Sequence, residues 1–290
     1  MMGLFKKKKG TPADGDGAAR PPFEIEVGVQ TDVGCVREAN EDSGRYTRPS
    51  DAEHLRTKGI LAVVCDGMGG HACGEVASQM AIEVINRSYY EDAAPPTEAL
   101  KRAIEAANAQ VHAASLRDAN LQGMGTTCVA LVLRDGQAFA AHVGDSRLYM
   151  VREGDLYQMT EDHSAVVEMV KHGIISADEA RTHEDKNVIL RALGTGPEVE
   201  VETWEHPMSV REDDRFLLCS DGLSDMVADD EIRRTLLAGA DVHDACARLI
   251  AQARAGGGHD NITVGVIHIR PAGRAGRQEV RATREVEVAG

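Results

Sequence analysis

The chain has 290 residues, 42% apolar and 27% charged, proportions of an ordinary globular protein that exclude a fibrous or wholly disordered chain. A formal net charge of −15 excludes nonspecific binding to nucleic acid or to an anionic membrane, since like charges repel. The longest apolar run near the middle, 60–65, falls far short of the roughly 20 residues of a membrane-spanning helix, so no span is expected.

Residues 1–22 hold Lys6, Lys7, Lys8 and Lys9 and are otherwise rich in Gly, Ala, Asp and Pro, too little apolar surface to repay ordering. A flexible leader is expected there. It has no apolar h-region, so a secretory signal is not read and a cytoplasmic location follows by default.

Short apolar or alternating segments bounded by turn residues predict strands over 24–30, 60–65, 126–133, 137–143, 147–151, 215–219 and 262–269. Between some of them, Asp135-Gly136 and Glu153-Gly154 place a glycine where a tight turn needs positive φ, which predicts an antiparallel meander. Val76, Ala77, Met80, Ala81, Val84 and Ile85 recur at helical spacing, as do Leu100, Ile104, Ala107, Val111 and Ala114, with Pro95-Pro96 between the two helices. Further helices are predicted at 165–171, at 230–237 and 242–253, with a capping-box start at Ser176 and Glu179. Strands bracketed by helix pairs predict sheet packed on sheet with helices outside. Residues 271–290 lack a periodic apolar face apart from a short Val alternation over 280–288, and a loose tail is expected. The six cysteines are widely spaced with no C-x-x-C pair, so buried free thiols are expected rather than a zinc ribbon or a redox motif.

Acidic residues fall where predicted strands meet turns: Glu41-Asp42, Asp66-Gly67, Asp145, Asp221-Gly222 and Asp260. Carboxylates gathered at such ends could not all stay ionised without cations, because like charges at short range raise one another's pKa. Hard oxygen donors favour Mg²⁺ or Mn²⁺ over zinc, and Gly67 could bring its carbonyl to an ion. A single Asp-Gly is more often an ordinary turn; the ordered set carries the argument.

The series Arg37-x-x-Asn40-Glu41-Asp42, Asp66-Gly67-Met68-Gly69-Gly70-His71, Gly125-Thr126-Thr127, Gly144-Asp145-Ser146-Arg147, Ser220-Asp221-Gly222 and Asp260-Asn261 resembles the motif order of bacterial PPM (type 2C) protein phosphatases over about 25–270. The resemblance implies an α+β fold, a four-layer α-β-β-α sandwich with two central, mainly antiparallel sheets and a small flap subdomain at about 160–196, within a phosphatase domain spanning 23–270. It implies that Asp66 bridges two metals, that Asp221 and Asp260 complete the first, and that Glu41 and the Gly67 carbonyl serve the second. A third, weaker ion would sit at Asp145 and Asp221, with Asp42 acting from behind the ligands.

The implied reaction is hydrolysis of phosphoserine and phosphothreonine by direct attack of a metal-bridging water, with Arg37 as the cation that binds the substrate phosphate; without the resemblance, Arg37 reads as a surface arginine. Phosphoproteins, including a Ser/Thr kinase opposed in bacterial signalling, are the implied partners, and a monomer is expected. No general acid is assigned: Met68 stands where some relatives have a histidine, and His71 reads at least as well as a turn residue. A regulatory sandwich that has lost catalysis and a two-metal nuclease or phosphodiesterase are the competing classes. The complete acidic set argues against the first, the negative charge and 3% aromatic content against a nucleic-acid substrate.

Overall fold

The structure, a computed structural model, describes residues 23–271 except 70–72, 181 and 240. The expected leader, the 280–288 alternation and His71 lie outside the described residues. Strands β1 (Phe23–Asp32), β8 (Arg147–Arg152), β9 (Asp155–Gln158), β12 (Arg215–Cys219) and β13 (Ile262–Pro271) form one sheet in the order β1-β13-β12-β8-β9. A second sheet runs β10-β7-β6-β3-β2, from β2 (Ser43–Thr47), β3 (Ile60–Cys65), β6 (Cys128–Arg134), β7 (Gln137–Val143) and β10 (Glu202–Thr203), with β11 (Met208–Ser209) also pairing to β7. The two-residue strands β4 (Gly67–Met68) and β5 (Gly125–Thr126) pair with each other beside the metal-ligand candidates. Among the described residues every strand pairing is antiparallel.

The alternation of side chains along each strand makes four layers. In β3, Leu61, Val63 and Cys65 pack under helices α2 (Cys73–Glu91) and α3 (Pro96–Arg117), while Ala62 and Val64 face the opposite sheet. In β12, Phe216 and Leu218 enter the same inter-sheet core, and Leu217 and Cys219 pack against α7 (Asp229–Ala238) and α8 (Val242–Ala255). Strands covered on both faces read as continuous apolar runs, which is why β3 was visible in the sequence. The described residues also hold the short helices α1 (Ala52–Lys58), α4 (Ala165–Lys171), α5 (Ala177–Ala180) and α6 (Asp221–Ser224), and a 3-10 turn at Ala119–Leu121. The fold is the expected α-β-β-α sandwich.

One expectation is corrected. The turns at Asp135-Gly136 (φ 50° and 70°) and Glu153-Gly154 (φ 55° and 92°) are two-residue hairpins as predicted, but they belong to different sheets. Between β7 and β8 the chain crosses from one sheet to the other through Gly144, Asp145 and Ser146. Hairpin chemistry specifies only the local reversal, so it does not distinguish one meander from two hairpins. Strand β2 and helix α1 went unread because each has too few apolar positions to show a period. The cysteines carry free thiols, yet Cys35 is exposed and Cys73 only partly buried, so burial holds for four of the six.

Candidate active site

Strand register brings the acidic positions together. Ser43 pairs with Cys65, so Asp42 and Asp66 leave the same end of β2 and β3. Cys219 pairs with both Arg147 and Val264, so Asp145, Asp221 and the residues entering β13 leave the matching end of the other sheet. The cluster therefore sits at one end of the sandwich, fed by both sheets.

Backbone and hydroxyl contacts fix each member. The Asp66 amide donates to Thr127 Oγ1 (3.0 Å), and the Asp66 carbonyl accepts from Thr126 Oγ1 (2.8 Å) and the Thr127 amide (2.9 Å). Thr127 Oγ1 in turn lies 2.7 Å from Ser146 Oγ, beside Asp145. The buried Asn261 amide side chain donates to the carbonyls of Val33 and Ala39 and accepts the Glu41 amide, each at 2.8–2.9 Å, holding the loop that carries Arg37 and Glu41. Ser78 on α2 donates to the Glu41 carbonyl at 2.6 Å. Gly67 is required by space: a Cβ there would lie 2.2 Å from the Gly74 carbonyl and 2.4 Å from that of Glu41. At Gly222 it would lie 1.9 Å from the Asn261 carbonyl.

The electrostatics are those of a cluster built for cations. Burial, followed by the charges of Asp42, Asp221, Asp145 and Asp260, lifts Asp66 well above the ordinary carboxylate range. Burial and then Asp221 and Asp162 push Asp145 up to about 8. Asp42 is raised to about 7 by burial, against the hydrogen bond from Ser220, and Asp221 to about 6 by burial and the Asp260 charge. Asp145 Oδ1 and Asp221 Oδ1 are buried atoms with no hydrogen-bond partner among the described residues. Buried carboxylate oxygens without donors, all hard ligands, fit Mg²⁺ or Mn²⁺.

Arg37 is half-exposed and places Nη2 2.7 Å from Asp260 Oδ2, with Glu41 and Asp66 close enough to favour its charge further. Asp145 and Asp221 also line a cleft of about 530 Å³, together with Val166 and Val170 of α4 and the Lys186–Asp225 ion pair. Arg147, from the same motif as Asp145, is spent on a bidentate pair with Asp162 (2.6 and 3.0 Å) and on the Tyr149 hydroxyl. Sequence reasoning singled out the acidic ligand candidates, which the structure gathers at one end of the sandwich, and missed the residues that seat them: Thr127 and Ser220 lay inside quoted motifs without a role, and Gly74 and Ser78 on α2 carried no signal apart from helical spacing.

The family model described as protein phosphatase 2C matches residues 40–255. The serine/threonine phosphatase Stp of Listeria welshimeri is 38% identical over 240 residues, covering 81% of this chain and 92% of its own. The serine/threonine protein phosphatase PstP of Mycobacterium tuberculosis is 38% identical over 254 residues, 87% of this chain and 46% of that longer protein. The crystal structure of the M. tuberculosis enzyme superimposes with a TM-score of 0.75 at 37% identity, covering 85% of this chain and 99% of that one. A PstP catalytic domain in complex with two manganese ions gives 0.72 at 35% identity, covering 86% and 99%. With this fold, this acidic cluster and these matches, the chain belongs to the protein phosphatase 2C (PPM) family of serine/threonine phosphatases.

Proposed function

We propose that the chain removes phosphate from phosphoserine and phosphothreonine in proteins, and that it does so with two tightly held Mn²⁺ or Mg²⁺ ions and a weaker third. The observation that carries this reading is the pair of buried, unpartnered oxygens, Asp145 Oδ1 and Asp221 Oδ1, inside a carboxylate cluster whose protons are held far above their ordinary range. The two manganese ions of the PstP catalytic domain support it.

Under this reading Asp66, Asp221 and Asp260, with Glu41 and the Gly67 carbonyl, would hold the two tight ions. Asp145 and Asp221 would hold the third. Such ions, when bound, acidify coordinated water and offset charge on the phosphoryl oxygens. The chain's own contribution is positioning. Asp260 holds the Arg37 guanidinium at 2.7 Å, and that planar fork suits two oxygens of a phosphate monoester. Asp42 stands behind the ligands, fixed by Ser220. Water attacks phosphorus directly, with no phosphorylated side chain between, and the Cys35 thiol is turned onto the Arg254 carbonyl. The substrates are phosphoproteins, among them a Ser/Thr kinase whose signalling the enzyme opposes.

The test compares a phosphothreonine peptide, p-nitrophenyl phosphate and bis-p-nitrophenyl phosphate with and without Mn²⁺. Metal-dependent cleavage of the first two supports the proposal. Preference for the diester would move the chain to the phosphodiesterases, and inactivity of a metal-loaded, folded protein would make it a regulatory sandwich.

A further inference from the structure

A second group of potential ligands lies beside the site: His142 on β7, His163 and Glu202 on β10 offer atoms within 4.8 Å of one another, and both histidines are buried. Two histidines and a carboxylate have the composition of a zinc site. Their hydrogen bonds exclude one. The Gly144 amide donates to His163 Nδ1 at 3.1 Å, so that nitrogen carries the lone pair and the neutral ring holds its proton on Nε2, the atom 3.2 Å from Glu202 Oε2. His142 Nε2 faces the Glu161 carbonyl at 2.9 Å and is likewise a donor. The two rings are stacked, with centroids 4.7 Å apart and planes 18° from parallel, so their in-plane lone pairs do not converge on one ion.

What the group does is grip Gly144. Besides accepting its amide, His163 donates its own backbone N–H to the Gly144 carbonyl at 3.0 Å, closing a two-point clamp on one residue. Gly144 has φ +104°, at the crossover between the sheets, and the next residue is Asp145. A Cβ on Gly144 would press on Thr127 Cγ2 at 2.6 Å, so this peptide is held on both sides. Burial keeps the His163 ring below its ordinary pKa against the opposing pull of Glu202, with His142 and Arg191 acting in the same sense as burial. Burial thus favours the neutral ring that the Gly144 contact at Nδ1 requires.

We propose that His163 is a positioning residue for Asp145: its neutral imidazole, accepting from Gly144 and donating to Glu202, sets the peptide that aims the Asp145 carboxylate into the cluster. The consequence for metal rests on the reading of Asp145 as a ligand of the weaker ion. Partners of this indirect kind typically change metal affinity about 10–100-fold when removed. Asn is the conservative replacement, since its Oδ1 can stand where Nδ1 stood.

The experiment uses the full chain. Nitrogen-15 NMR of His163 reads the tautomer, and calorimetric Mn²⁺ titration reads the sites in wild type, His163→Phe, His163→Asn and Asp145→Ala. The expected results are an Nε2-protonated ring, a weaker ion bound about tenfold or more less tightly in His163→Phe with the tighter sites unchanged, and near-normal binding in His163→Asn. An Nδ1-protonated ring, or a wild-type isotherm for His163→Phe beside a defective one for Asp145→Ala, overturns the positioning role alone. Retention of the weaker ion in Asp145→Ala overturns the ligand assignment instead. Where His163→Phe does not fold, Glu202→Ala carries the test: severalfold weaker binding at the weaker site supports the role, and an unchanged isotherm overturns it.

Discussion

Ser220 Oγ donates to Asp42 Oδ2 at 2.7 Å and accepts the Thr263 amide at 3.0 Å, so one hydroxyl ties a carboxylate of one sheet to two strands of the other. Ser220→Ala leaves a buried acceptor and a buried donor without this partner, and such losses cost about 1–3 kcal/mol each before any relaxation. Denaturant unfolding of the variant is expected to show a loss in that range, with weaker Mn²⁺ binding. A loss confined to a few tenths of a kcal/mol would show that Asp42 and Thr263 are satisfied by another route.

The Arg37 guanidinium is held by Asp260 at the edge of the cluster, and its proposed task needs two N–H groups in one plane. Arg37→Ala is expected to lower kcat/KM for a phosphothreonine peptide by about a hundredfold, on the scale of losing a preorganised donor to developing charge. Arg37→Lys keeps the charge but not the fork and is expected to fall between. Equal rates for all three proteins would remove Arg37 from phosphate binding.

Gly67→Ala places a methyl carbon 2.2 Å from the Gly74 carbonyl and 2.4 Å from that of Glu41, all rigid backbone. At least about 1–3 kcal/mol of destabilisation is expected, together with impaired metal binding, because the forced shift moves Glu41. Thermal unfolding with and without Mn²⁺ reads both effects.

Without metal, the cluster makes stability depend on pH. Asp42, Asp145 and Asp221 have folded pKa values of about 7, 8 and 6, above the unfolded value of about 4, so between these limits the folded state binds more protons than the unfolded one. Stability is then greatest below pH of about 4 as far as these groups are concerned, and falls as pH rises through 6 to 8. The chelated protein is expected to lose Tm over that interval, and saturating Mn²⁺ to offset the loss by neutralising the carboxylates. A chelated protein whose Tm rises steadily from pH 6 to 8 would contradict the repulsive cluster.

Several ligand candidates were legible because they sit in a short local pattern beside an apolar run, as Asp66 follows 60–65, Asp221 closely follows 215–219 and Asp260 precedes 262–269. The doubly covered strands were legible as continuous apolar runs and the two long amphipathic helices by their period, both signals that survive in one dimension. What the sequence hid is nonlocal. Ser220 reaches Asp42 across 178 positions and Asn261 reaches Val33 across 228, distances that no spacing rule spans. Whether β7 continues into β8 or crosses to the second sheet depends on packing around Gly144, and an isolated Gly-Asp pair reads the same either way. His163 carried no signal of its own because its partner, the Gly144 amide, is 19 residues away.

The most direct test of the account is phosphate release from a phosphothreonine peptide by purified protein, titrated with Mn²⁺ and Mg²⁺ and repeated for Asp221→Ala, which removes one of the two unpartnered oxygens while relieving repulsion in the cluster. The account predicts metal-dependent release by the native chain and near-complete loss in a variant that stays folded. Undiminished release by Asp221→Ala, or release that needs no divalent ion, would contradict it.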